Sequence, residues 1–120
     1  SAPGTSRHHF GTDFDINRIN PLFANSSHDK EIREAIYTWL VKNASRFDFC
    51  QTYTPKDAMR ETGYGEERWH WSYTPLSKIF TEEYRSLVKP EDISGFQGDE
   101  YVKSEDLINK YVLSINPECL

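Results

Sequence analysis

A chain of 120 residues has room for one modest hydrophobic core and no more. Its formal net charge of −5 withholds the basic face that nucleic-acid binding needs to replace counterions. No apolar run approaches the ~20 residues that cross a bilayer, and no signal-peptide pattern stands at the start.

The opening SAPGTS is a loop by its Pro, Gly and Ser content, and it begins with Ser1 rather than Met, as processing or trimming would leave it. GTDFDIN, residues 11–17, alternates as a short strand, with Phe14 on one face and Asp13 and Asp15 on the other. RINPLFANSS returns to loop. From His28 to about Ala44, the spacing of Ile32, Ala35, Ile36, Trp39 and Leu40 draws an apolar helical stripe, with Ser27 as its N-cap. Residues 46–53, RFDFCQTY, alternate Phe47, Phe49 and Gln51 and predict a second strand. TPKDAMRETGYGEE is a loop by its turn residues, and RWHWSY, residues 68–73, is a third strand stopped by Thr74-Pro75. Residues 76–88 predict a helix with Leu76, Ile79, Phe80 and Leu87 inward. Pro90 opens a short helix or turn, and Ser104 caps a last helix to about Leu113. The fold class is α+β: a small antiparallel sheet flanked by helices, in one domain over residues 1–120.

Cys50 lies in a strand-like run and is expected in the core, while Cys119 stands beside the C-terminus. A disulfide between them is possible, and a reduced pair is at least as consistent with the sequence. The N-x-[ST] matches at Asn25 and Asn43 matter only in a glycosylating pathway. Aromatic residues reach 14% and cluster in RFDFCQTY and RWHWSY, which suits a packed core or a cleft for sugars or peptides.

Chemistry concentrates in two places. SRHHFGTDFD, from Ser6 to Asp15, brings His8, His9, Asp13 and Asp15 into one short stretch, and EERWHWSY adds Glu67 and His70. On a strand, positions 68, 70 and 72 share a face, which aims His70 into a cleft and turns Trp69 and Trp71 to the core. Glu67 has the opposite parity and joins His70 only from the turn before the strand, which Gly63 and Gly65 make plausible. His8, Asp15 and His70 would supply the three protein ligands of a catalytic zinc, with the fourth position left to water. By spacing alone Asp13 serves as well as Asp15. Two imidazoles and one carboxylate leave such a site positive, which favours hydroxide at neutral pH, and Glu67 would be the nearby base.

The other residues carry plainer readings. His9 and His28 are expected on the surface. Arg7 and Arg68 flank the ligands, and solvent is a better partner for them than a substrate carboxylate. Tyr64 and Tyr73 either pack or donate to a developing oxyanion. Trp69 is expected in the core, and Trp71 is the candidate cleft wall.

Together the two stretches resemble the zinc D-Ala-D-Ala carboxypeptidases and related vancomycin-resistance carboxypeptidases, of the lysostaphin-type and Hedgehog-type zinc fold group. Ser6, His8, Gly11 and Asp15 fall on the first motif, S-x-H-x-x-G-x-A-x-D. Thr62, Gly63, Tyr64, Glu67, Trp69 and His70 fall on the second, T-G-Y-x-x-E-x-W-H. The resemblance covers about residues 3–85. It implies that His8, Asp15 and His70 bind zinc, and that Glu67 is the general base for attack of zinc-activated water on a peptide carbonyl. It also implies peptidoglycan stem peptides as substrate, D,D- or L,D-carboxypeptidase activity, and a periplasmic or extracellular location. Ser6, Arg7, Tyr64, Arg68 and Trp71 are the candidate substrate contacts.

The chain departs from the pattern in three ways. Asp13 replaces the small apolar residue of the first motif, and Ser72 stands where the relatives often carry Arg. The chain does not contain the region that precedes the first motif in the relatives, with its substrate-holding arginine; either that half has been lost or, as expected here, the chain is the C-terminal part of a longer catalytic domain. An endopeptidase using the same chemistry fits these residues too. The alternative from another class is a zinc-stabilised binding module without catalysis. Glu67 argues against it, because a structural zinc site needs no base and is closed by four ligands, commonly cysteines.

Overall fold

The aromatic run around His70 becomes the central strand of the sheet. In the computed structural model, which describes residues 1–23 and 26–120, β1 (Asp13–Asp15) and β2 (Phe49–Tyr53) each pair antiparallel with β3 (Glu67–Tyr73). The strand order is β1-β3-β2, the small antiparallel sheet of an α+β chain, as expected. The register sets Asp13 against Ser72, Phe14 against Trp71 and Asp15 against His70. Strand alternation therefore gathers Asp13, Asp15, His70 and Ser72 on one face and Phe14 and Trp71 on the other.

β3 is irregular at its start. Gln51 pairs with Trp71, yet Tyr53 pairs with Glu67, so β3 carries surplus residues between these two pairs and bulges. Side chains and a neighbouring strand end serve the carbonyls released from the ladder. Gln51 Nε2 donates to the Glu67 carbonyl (3.4 Å), Trp71 Nε1 to that of Arg68 (2.9 Å), and the Ile16 N–H to that of Trp69 (2.9 Å). The bulge changes the parity that a regular strand would impose. Glu67 is the first residue of the strand, not part of the preceding turn, and still reaches the His70 side.

Helix α1 (Ser27–Asn43) is capped by Ser26 rather than by Ser27. Ser26 lies three residues before Asp29, so its Oγ accepts the Asp29 N–H (3.0 Å) while the Asp29 carboxylate accepts the Ser26 N–H (3.3 Å). The expected stripe is only partly covered: Ile32, Ile36 and Leu40 are half-buried, and Ala35 and Trp39 are exposed. Phe14, Trp39, Phe47, Phe49 and Trp71 border an apolar groove of about 340 Å³ on this side of the sheet. The N-x-[ST] match at Asn25 lies outside the described residues. β2 begins at Phe49 instead of residue 46, because Ala44–Phe47 winds as a 3-10 turn and Asp48 takes a left-handed conformation (φ 62°).

α2 (Thr74–Leu87) starts earlier than expected, with Pro75 in its first turn, where the missing N–H costs nothing. Its orientation is the reverse of the sequence expectation. Leu76, Ile79, Phe80 and Leu87 are exposed, and Ser77 and Thr81 are buried. The helix packs through this short polar side because a buried arginine lies against it: Arg7 Nη1 donates to Thr81 Oγ1 (2.9 Å). Ser104 ends the single-turn helix α3 (Glu100–Ser104) instead of capping a longer one. After a left-handed Asp106 (φ 51°), Ile108–Leu113 forms a π-helical turn. Among the described residues, no helix is long and apolar enough to cross a membrane.

The C-terminal segment packs back onto the sheet. One apolar cluster joins Cys50, Tyr53, Ile115 and Cys119, and another joins Ile93, Val102 and Ile108. Gly63 (φ +81°) lies so close to this segment that a Cβ would collide with the Lys110 carbonyl oxygen, so only glycine fits. Cys50 and Cys119 are joined in a disulfide, which resolves the pairing that the sequence left open. The bridge spans 69 residues. Its reduction, or Cys119→Ser, should lower the unfolding free energy by about 2–4 kcal/mol, chiefly by freeing the unfolded chain. Urea unfolding with and without reductant measures this, and coincident midpoints would mean that the bridge constrains nothing.

Candidate metal centre

The first motif begins with a 3-10 turn, Arg7–Phe10, closed by Gly11 in the left-handed region (φ 70°), whose N–H bonds the His8 carbonyl (3.1 Å). That reversal leads the chain into β1 and leaves His8 beside the strand's polar face, while His9 is exposed as expected. His28 is exposed as well. β1 carries Asp13 and Asp15, and the antiparallel register brings His70 opposite Asp15.

His8 Nε2 lies 3.4 Å from Asp15 Oδ1, and His70 Nδ1 lies 3.7 Å from the same oxygen. The rings of His8 and His70 are 4.4 Å apart, and one ligand atom from each of His8, Asp15 and His70 falls within 4.8 Å of the others. Glu67 Oε2 is 3.2 Å from His70 Nδ1. These groups border a cleft of about 200 Å³, with Tyr53, Tyr64 and Trp69 among its walls. His70 is almost fully buried, whereas the side chains of His8 and Asp15 are 42% and 33% exposed. The three-residue group is therefore reachable from solvent.

Hydrogen bonding assigns the donor atoms. His8 Nδ1 faces the Asp13 carbonyl (3.1 Å), which only accepts, so in the neutral ring the lone pair is on Nε2, towards Asp15. His70 Nε2 faces Asp13 Oδ2 (3.0 Å), which leaves Nδ1 towards Asp15 and Glu67. Two imidazole nitrogens and a carboxylate oxygen converge, a donor set that suits zinc. Between the two aspartates that spacing left open, the geometry directs Asp15 at the histidines. The Asp13 carboxylate is fully buried and filled by Arg7 Nε (3.0 Å), Ser72 Oγ (2.7 Å), Thr12 Oγ1 (3.1 Å) and His70 Nε2.

Burial opposes ionisation of Asp13, but the His70 hydrogen bond, the Arg7 charge and the Ser72 hydroxyl outweigh it, and its pKa lies below the usual aspartate value. Burial also opposes a charge on His70, yet its hydrogen bonds to Asp13 and Glu67 hold its pKa above the usual histidine value. Burial raises the Tyr53 pKa far above the ordinary tyrosine value, so this wall of the cleft stays neutral.

The remaining candidates separate. Ser6 and Tyr64 border the cleft, and the Tyr64 hydroxyl meets Ser1 Oγ (2.6 Å). Arg7 also borders it but is buried, not solvated: its guanidinium is held by Asp13, by Thr81 and by the Val112 carbonyl (3.4 Å). Arg68 turns away, stacks over Tyr37 at 4.5 Å and pairs with Glu34 and Glu66, both at 3.2 Å. The tryptophans exchange their expected places. Trp71 is buried on the opposite sheet face and is not a cleft wall, while Trp69, displaced by the bulge, is half-buried and borders the cleft. Tyr73 packs its ring at a tilt against Phe49 (centroids 5.3 Å apart) and does not border the cleft.

Sequence reading missed the support behind the site. Arg60, 2% exposed, donates to the carbonyls of Thr54, Thr62 (3.2 Å) and Tyr64 (2.8 Å), and so holds the T-G-Y loop; nothing in its local sequence marks it. Thr52 Oγ1 bonds Ser72 Oγ (2.7 Å), which in turn serves Asp13. Strand parity did carry a signal for Asp13 and Ser72, since both fall on the face of Asp15 and His70.

A family model described as VanY: D-alanyl-D-alanine carboxypeptidase matches residues 1–76. A D-alanyl-D-alanine carboxypeptidase of Enterococcus faecalis is 37% identical over 97 residues, covering 74% of this chain and 33% of that protein. The chain thus spans about a third of the length of this curated relative. A Haemophilus influenzae protein described as uncharacterized is 26% identical over 112 residues, covering 87% of this chain and 82% of its own. No solved structure matches.

The two shifted groups of the site contribute to the pH dependence of the chelator-treated protein on opposite sides. Asp13, lower in the folded chain, contributes stability that is present above its unfolded value of 3.8 and lost as pH falls through the folded one. His70, higher in the folded chain, contributes stability that is full below 6.5 and lost as pH rises through the folded value. Urea midpoints should therefore fall on both sides of this window. The alkaline fall should vanish in His70→Asn; if it persists unchanged in that variant, His70 is not its source.

Proposed function

Because the chain belongs to the VanY D-alanyl-D-alanine carboxypeptidase family, we propose that its cleft is the centre of a zinc-dependent peptidase. The substrates are peptidoglycan stem peptides, and the reaction is removal of the terminal D-alanine. This places its work at the bacterial cell wall, in a periplasmic or extracellular setting.

One observation carries the reading. Glu67, a carboxylate outside the ligand group, stands 3.2 Å from His70 Nδ1 at the edge of an accessible cleft. His8 through Nε2, Asp15 through its carboxylate and His70 through Nδ1 would hold the zinc. Bound there, the metal would polarise the scissile carbonyl and make a water molecule more acidic. Glu67 takes the proton from the attacking water and delivers it to the departing amine, so the D-alanine leaves neutralised at nitrogen and the C–N bond breaks without a free amide anion. Tyr64 and Ser6 at the cleft edge contact the peptide, and Trp69 lends it an apolar wall.

The exposure of His8 and Asp15 favours an enzyme over a zinc-stabilised binding module, whose metal would be enclosed by four protein ligands. Both cysteines are committed to the disulfide and unavailable as ligands.

The purified protein should carry about one zinc per chain, lost in His8→Ala and in His70→Ala. Glu67→Gln should retain the metal and release D-alanine from a stem pentapeptide about 10²–10⁴-fold more slowly. Full activity in Glu67→Gln would sink the mechanism. Zinc bound without cleavage of terminal or internal bonds would favour the binding module, and internal cleavage alone would make the protein an endopeptidase.

A further inference from the structure

We propose that Asp13 is a positioning residue that sets both histidine ligands, its backbone carbonyl holding His8 and its carboxylate holding His70. The inference rests on the reading of this cleft as a metal centre. It concerns the position at which the first motif has a small apolar residue.

His8 and His70 approach from different elements, and each must turn a lone pair to the same point. An imidazole has two nitrogens, and its neutral form carries the proton on one of them; the hydrogen bond to the other nitrogen's neighbour selects which. At His8 the selecting group is the Asp13 carbonyl, 3.1 Å from Nδ1, so Nε2 is left bare 3.4 Å from Asp15. At His70 it is the Asp13 carboxylate, 3.0 Å from Nε2, so in the neutral ring the proton stays there and Nδ1 is left bare towards Asp15 and Glu67, which it bonds only when the ring is protonated. The two rings thereby present opposite nitrogens, and one residue enforces both choices.

The carboxylate can do this because it is itself immobile. Arg7 Nε and Ser72 Oγ bind the same Oδ2 that faces His70, at 3.0 and 2.7 Å, and the side chain is wholly shielded from solvent. Thr81 of α2 fixes Arg7 from the far side. Ser72 is the cross-strand partner of Asp13 and fully buried, so the two departures from the motifs form one contact. A carboxylate behind a metal-bound histidine orients the ring and makes it a stronger donor.

Asp13→Asn removes the charge and keeps the backbone carbonyl, so a positioning role makes a selective prediction. Zinc affinity, measured by competition with a chelator, should weaken about 10- to 100-fold. In ¹⁵N-histidine spectra of the zinc-loaded wild type, His8 should be coordinated through Nε2 and His70 through Nδ1, each retaining its other proton. In Asp13→Asn the His70 Nε2–H signal should move while the His8 signals stay. Ser72→Ala, which trims one donor and keeps the charge, should give the same selective shift with a smaller affinity loss, and it stands in if Asp13→Asn does not fold. Coordination of His70 through Nε2, undiminished zinc affinity in Asp13→Asn, or equal shifts at both histidines would overturn the proposal. A wild-type chain that takes up no zinc would overturn the metal reading instead. The metal-free spectra, recorded with both rings neutral, would then still decide the tautomers, with proton on His8 Nδ1 and His70 Nε2 expected and the reverse pattern overturning the assignment.

Discussion

The buried ion pair of Asp13 and Arg7 holds together parts of the chain that sequence order keeps far apart. Asp13 sits on the short edge strand, Ser72 and His70 on the central strand, Thr52 on the other edge, and Arg7 carries the contact on to α2 and the C-terminal segment. Burying two charges is costly, and hydrogen bonds to the carboxylate and the guanidinium offset much of that cost, although Arg7 Nη2 is buried without a partner. Here the carboxylate is crowded with donors, and Arg7 reaches a hydroxyl and a carbonyl beyond it. The arrangement favours specificity, because a different packing of this chain would have to supply the buried carboxylate with as many donors.

This constraint explains the behaviour of α2. By its apolar stripe alone the helix should bury Leu76, Ile79, Phe80 and Leu87. Instead it presents Ser77 and Thr81 to the interior, since an arginine needs a hydroxyl and the space that short side chains leave. The apolar stripe is left exposed as a consequence. A periodic pattern identifies the helix but not which side meets the core when the core is itself polar.

The bulge in β3 is the second constraint on the site. On a regular strand Glu67 and His70 would point to opposite faces, and the Glu67 carboxylate would be lost behind the sheet. The surplus residues between the Trp71 and Glu67 pairings bring both side chains to one cleft and exchange the roles of Trp69 and Trp71. Gln51 and Trp71 stabilise the distortion by serving carbonyls that it removes from the ladder. Arg60 and Gly63 play the matching part in the preceding loop, one binding its carbonyls and the other admitting the Lys110 backbone.

The sequence by itself determined the α+β class, most of the elements within a few residues and the family, and it singled out His8, Asp15, His70 and Glu67, which the fold brings to one cleft. Those features are local: alternation marks a strand, a 3.6-residue period marks a helix, and the spacing within each motif is carried by consecutive residues. Only the tertiary structure decided the rest. It placed the Asp15 carboxylate between the two histidines and that of Asp13 behind His70, buried Arg7 while turning Arg68 away, joined Cys50 to Cys119 and made Trp69 rather than Trp71 a wall of the cleft. Each of these depends on which distant group comes to fill a particular hydrogen bond or volume. Register, burial and charge pairing are properties of two segments at once, and neither segment encodes them alone.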